Sequence, residues 1–163
     1  MKSVVAAILL GLSLLAQLFL FQAWQVACIV PNVTLGLLVM LSLYMNVEQL
    51  LWMGLFSGLF FDLYGKVDFG LYLGFYILVV LICKLVFKFG EVERSWWRPT
   101  VVVAISALVQ YVLIGLPIDL GQSNWLFFER AISFVGLTAG VAMLWYLILT
   151  QIQQLLGDRS VKD

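Results

Sequence analysis

Apolar residues run through the chain in six blocks separated by short polar interruptions. About 20 apolar residues are needed to cross a hydrocarbon core as a helix. The blocks run from Val4 to Phe21, Pro31 to Met45, Leu50 to Tyr64, Phe69 to Phe87, Thr100 to Leu116 and Phe128 to Leu149. The second and third are short for a span and are expected to tilt little or to extend into their flanks. Pro31 suits the first turn of the second helix, where its fixed φ is already helical and its missing N–H costs nothing. The pattern predicts an all-α integral membrane protein: a compact bundle of about six transmembrane helices forming a single domain over residues 1–163.

Within the third block, Gly54-Leu-Phe-Ser-Gly58-Leu-Phe-Phe-Asp62-Leu-Tyr-Gly65 spaces two glycines, an acid and a third glycine so that they share one side of a helix. Lipid tails are as apolar as leucine, so membrane helices associate through close backbone approach, which glycine permits, and through polar bonds. Gly70-xxx-Gly74 repeats the spacing in the fourth block, and the connection Gly65-Lys-Val-Asp68 is too short to separate the two helices. They are expected to form an antiparallel hairpin in which the two glycine faces meet. The glycines serve either internal packing or a groove for a partner's helix. Asp62 reaches the interface, accepts bonds from the start of the fourth helix around Asp68 to Tyr72, or forms a proton or ligand site.

Basic residues fix an orientation. With the N-terminus cytoplasmic, Lys2, Lys84, Lys88, Arg94, Arg98, Arg159 and Lys162 fall inside and only Lys66 and Arg130 outside, which places both termini in the cytoplasm. Trp52, Trp96, Trp97 and Trp145 then lie toward the inner interface, with Trp24 and Trp125 toward the outer one. The inner cluster Lys84, Lys88, Arg94 and Arg98 is an interfacial anchor, or a contact for a cytoplasmic partner or anionic lipid. The first block exceeds a signal-peptide core in length, and Gln25 stands where a lipoprotein cleavage site wants an aliphatic residue, so it is read as a retained helix.

Composition narrows the function classes. Hydrophobic residues make up 64% and charged residues 11%, with a net charge of zero, which leaves no basic patch for nucleic acid and no room for a second, water-soluble domain. Histidine is absent, and Cys28 and Cys83 have no CxxC partner, so neither a metal site nor a His-based catalytic pair is indicated. An intramembrane aspartyl protease needs two facing acids, whereas Asp68, Asp119 and Glu129 fall in outer loops or at a helix start. No enzyme and no cofactor is expected. Pro31-Asn32 reads as a helix start, with Asn32 or Thr34 bonding free amides. The outer loop from Pro117 to Asn124 holds turn formers only.

Pro31-Asn32-Val-Thr-Leu, then Gly54-xxx-Gly58-Leu-Phe-Phe-Asp62-Leu-Tyr-Gly65, then Phe69-Gly70-Leu-Tyr72 together resemble the bacterial rod shape-determining MreD family. The resemblance covers roughly Val30 to Phe75, and chain length and block count agree with it. It implies a non-enzymatic, multi-pass inner-membrane scaffold subunit of the cell-elongation machinery. Its implied partners are MreC, MreB, RodA and a class B penicillin-binding transpeptidase, and its implied role is docking transmembrane helices such as that of MreC. It also implies a fold similar to the substrate-binding subunits of energy-coupling-factor vitamin transporters. A small-molecule-binding subunit of that transporter type is the alternative, and would need an outward pocket lined by convergent polar groups.

Overall fold

The computed structural model describes residues 2–23, 30–64, 68–88, 97–115 and 124–157, and among them it is all-helical. Gly65, Arg94, Cys28, Trp24, Trp96 and the loop from Pro117 to Ser123 lie outside the described residues, as do the side chains of Lys88 and Trp125. The helices are α1 (Lys2–Ala23), α2 (Val33–Leu41), α3 (Val47–Tyr64), α4 (Leu71–Lys88), α5 (Trp97–Gln110) and α6 (Asn124–Gly157). A π-helical turn, Tyr111–Gly115, continues α5.

Three helices are long and apolar enough to cross a membrane, over Ser3–Leu20, Trp97–Ile114 and Phe128–Ile152. α4 carries a shorter apolar stretch, Leu71–Phe87. Their outward faces carry exposed Val, Leu, Ile and Phe, as a lipid-facing surface requires.

α2 departs from expectation. Instead of a helix from Pro31 to Met45, the structure has nine helical residues, Val33–Leu41. At 1.5 Å per residue that is a rod of about 13 Å, under half of a hydrocarbon core. Every residue of α2 is buried, and α1, α3, α4, α5 and α6 all pack on it. A run that is apolar on all sides reads equally as a membrane span or as a core helix, and here it is the core. Leu35, Leu37, Leu38, Val39 and Met40 form the centre of the hydrophobic cluster, with Leu50, Tyr76, Val80, Val103 and Ala142 closing around them. Gly36 admits α6: a Cβ there would lie 3.2 Å from the Ala142 Cα. After Leu41 the chain tightens into successive turns, Leu43 N–H bonding to Met40 O and Tyr44 N–H to Leu41 O, before α3 begins.

α3 and α4 form the expected antiparallel hairpin, but their glycine faces do not meet. A Cβ on Gly58 would sit 2.5 Å from the Leu73 Cα and one on Gly54 would sit 3.0 Å from Val80 Cγ2, whereas Gly70 and Gly74 have nothing within 4 Å. The glycines of α3 therefore receive the Leu73, Tyr76 and Val80 face of α4. Gly74 points away, and Gly70 adopts φ +97°, a turn conformation that glycine reaches without steric cost.

Candidate functional site

Two polar constructions sit inside this apolar bundle. The first is the carboxylate at the end of the α3 glycine stripe. Asp62 is buried, 6% exposed, and faces the first turn of α4. Its Oδ2 accepts from Gly70 N–H at 3.0 Å and Leu73 N–H at 3.1 Å, and its Oδ1 accepts from Tyr72 N–H at 2.9 Å. Leu71 N–H goes to Asp68 O, and Gly74 N–H closes the first helical turn on Gly70 O. The free amides of the α4 N-terminus, from Gly70 to Leu73, are thus all bonded, three of them to one side chain on the neighbouring helix. The positive end of the α4 dipole meets the negative group there, so Asp62 both caps α4 and fixes the top of the hairpin. Phe61 beside it stacks on Tyr72 and Tyr76, with ring centroids 5.4 and 5.5 Å apart.

The second construction surrounds the N-terminus of α2. Pro31 is not the first helical residue: it stands one position before the N-cap, Asn32, whose Oδ1 accepts from Leu35 N–H at 2.9 Å. The rest of Asn32 serves other helices. Its Nδ2 donates to Tyr76 OH on α4 and to Gln110 Oε1 on α5, both at 2.8 Å. Tyr76 OH in turn donates to Asn32 Oδ1 at 3.1 Å. Asn32 N–H donates to Thr138 Oγ1 on α6 at 3.1 Å. From α1, Gln17 bridges the same turn, its Oε1 accepting from Val33 N–H at 2.8 Å and its Nε2 donating to Pro31 O at 3.0 Å. Trp145, expected at an interface, gives its indole N–H to Val33 O at 3.2 Å. Thr34, the other residue expected to bond free amides, is fully buried, and its hydroxyl has no partner among the described residues.

This arrangement follows from the shortness of α2. Thr138 lies inside the apolar span Phe128–Ile152 and Tyr76 one to two turns below the start of α4, so the α2 N-terminus beside them is buried within the bundle. A helix that begins there cannot satisfy its free amides with water, and an unpaired backbone group costs several kcal/mol in such surroundings. Gln17, Asn32 and Thr138 supply the missing partners. At the other end, Lys84 on α4 donates its ammonium protons to the Ser42 and Met45 carbonyls, where the helix dipole is negative.

Of the residues singled out by the sequence, Gly54, Gly58, Asp62 and Gly70 come together at the α3–α4 contact, and Gly74 stands outside it. Lys84 leaves the basic cluster to cap α2, while Arg98 stays exposed against the Trp97 ring, 5.7 Å from its centroid. Gln17, Tyr76, Gln110 and Thr138 were missed. Gln17 and Gln110 had a readable signal, being amides in the middle of apolar runs, where a polar group needs a partner. Among the described residues no group of three His, Cys, Asp or Glu side chains is placed to hold a metal. The amide and hydroxyl groups of Gln17, Asn32, Tyr76, Gln110 and Thr138 meet at one turn and join α1, α2, α4, α5 and α6 there.

Fold and site define an all-helical protein with at least three membrane-competent helices, organised around a short buried one. No family model, curated protein or solved structure matches the chain.

Proposed function

We propose that the chain is an MreD-like scaffold: a multi-pass subunit of the bacterial inner membrane, without catalytic activity, that supports cell elongation and lateral peptidoglycan synthesis by docking partner transmembrane helices. In this reading the chain makes six crossings with both termini cytoplasmic, and the second crossing carries only the half-length α2. MreC is the partner whose helix it docks, with MreB, RodA and a class B penicillin-binding transpeptidase in the same assembly.

The observation that carries the reading is what the resembling motifs do. Pro31-Asn32, Gly58 and Asp62 each act at a join between helices, and their polar atoms are occupied by the protein itself. Such a body is stiff, which suits a scaffold. A short helix whose N-terminus is buried within the bundle is a feature that transporters use to bind anionic substrates. Here side chains from α1, α2 and α6 fill it.

Affinity purification of the tagged chain from its own membranes, with depletion of the protein in parallel, tests the reading. Recovery of the elongation proteins and loss of rod shape are expected, with weaker recovery by Asp62→Ala. Recovery of ATPase subunits or of a bound metabolite, with cell shape intact, would replace it with the transporter-type reading.

A further inference from the structure

α2 begins inside the bundle, and the donors of its first turn can be followed one by one. Val33 N–H goes to Gln17 Oε1, Leu35 N–H to Asn32 Oδ1 and Gly36 N–H to Asn32 O. Thr34 N–H, between them, has no acceptor among the described residues. Neither has the Thr34 hydroxyl a partner there, although the side chain is fully buried and is the one polar side chain that α2 carries. Cα–Cβ bonds in a helix tilt toward its N-terminus, so the hydroxyl is carried back over the same turn that leaves the amide unpaired. Bulk water does not reach this turn, and two donors on one residue call for a single acceptor lying against both.

We propose that Thr34 binds one structural water molecule, which accepts from its N–H and pairs with its hydroxyl. The chemistry of the turn selects this ligand. A buried water both donates and accepts, and it is held where two to four polar groups surround it. Pro31 O accepts one bond from Gln17 Nε2 and keeps a second lone pair on the same turn, which gives a proton of the water its acceptor. An anion would suit the positive end of the α2 dipole. The side chains gathered there, Gln17, Asn32, Tyr76, Gln110 and Thr138, are however neutral amides and hydroxyls, which leave a full charge in the core uncompensated. With the water bound, every N–H of the first turn of α2 is paired, and the join around Asn32 includes one solvent molecule among its members.

The proposal is independent of the scaffold reading. A crystal structure of the full chain, at a resolution that shows ordered solvent, tests it together with Thr34→Val, which keeps the shape of the side chain and removes the hydroxyl. One water within about 3.2 Å of both Thr34 N and Thr34 Oγ1 is expected. In Thr34→Val the melting midpoint should fall by about 2–4 °C, the shift that the loss of one buried hydrogen bond brings in a chain of this size. A hydroxyl turned onto a protein carbonyl, with no water beside the amide, overturns the proposal. So does a midpoint that is unchanged or raised in Thr34→Val, since removing a hydroxyl that has no partner costs nothing. Density for an anion at the Thr34 amide, with a midpoint that rises when chloride replaces gluconate at constant ionic strength, overturns it in favour of a transporter-type site.

Discussion

Gly58 and Gly74 carry the same side chain in the same hairpin and face opposite consequences. A methyl group on Gly58 would collide with backbone at Leu73, which cannot rotate away, whereas one on Gly74 enters open space on a regular helix. Gly58→Ala should therefore force α3 and α4 apart and destabilise the protein by about 1–3 kcal/mol, the usual range for overpacking. Gly74→Ala should be neutral or stabilising by up to about 1 kcal/mol through helix propensity. Thermal melts of the two variants in the same detergent check this; equal losses would mean that the two glycine faces meet after all. The spacing of Gly54, Gly58 and Asp62 made the packing stripe on α3 legible in the sequence. The same spacing at Gly70 and Gly74 misled, because a four-residue interval says that two residues share a face and not which face is covered.

The elements show why some of the site was not legible. α2 has Thr34 as its one polar residue and is buried at all nine positions, so no periodicity separates a core helix from a span, and only the turn after Leu41 reveals its length. The partners of Asn32 come from afar: Tyr76, Gln110 and Thr138 lie 44, 78 and 106 residues away, beyond any local signal. Asn32 as a helix start was readable, because an N-cap bonds within its own turn. The C-terminal end of α2 makes a separate prediction. Lys84→Met keeps the length and packing of the side chain and removes the ammonium, leaving the Ser42 and Met45 carbonyls without that donor. A loss of about 1–3 kcal/mol is expected. Lys88→Met, one turn later at the end of α4, should shift the melt far less. A Lys84→Met variant as stable as wild type would show that α2 needs no cap at that end.

At the scale of the molecule, the two polar constructions differ in reach. Asp62 joins α3 to α4 alone, whereas the groups around Asn32 tie α1, α2, α4, α5 and α6 to one point. Breaking the first should loosen a hairpin, and breaking the second should loosen the bundle. Asn32→Leu keeps the branched shape of the side chain and strands Gln110 Oε1 and the Tyr76 hydroxyl without the amide they share. A buried polar group left unpaired costs about 1–3 kcal/mol, so the variant is expected to lose several times the effect of a single surface bond. Tyr76→Phe removes one of the stranded groups and should recover part of that loss in the double variant, a coupling of about 0.5–3 kcal/mol. Hydrogen exchange locates the change. Residues 33–41 should be the slowest in the wild-type chain, since every one is buried. In Asn32→Leu, faster exchange should spread through α2 and the contacting turns of α1, α4, α5 and α6, while in Asp62→Ala it should stay within α3 and α4. Acceleration confined to the first turn of α2 in Asn32→Leu would mean that Asn32 caps one helix and holds nothing else together.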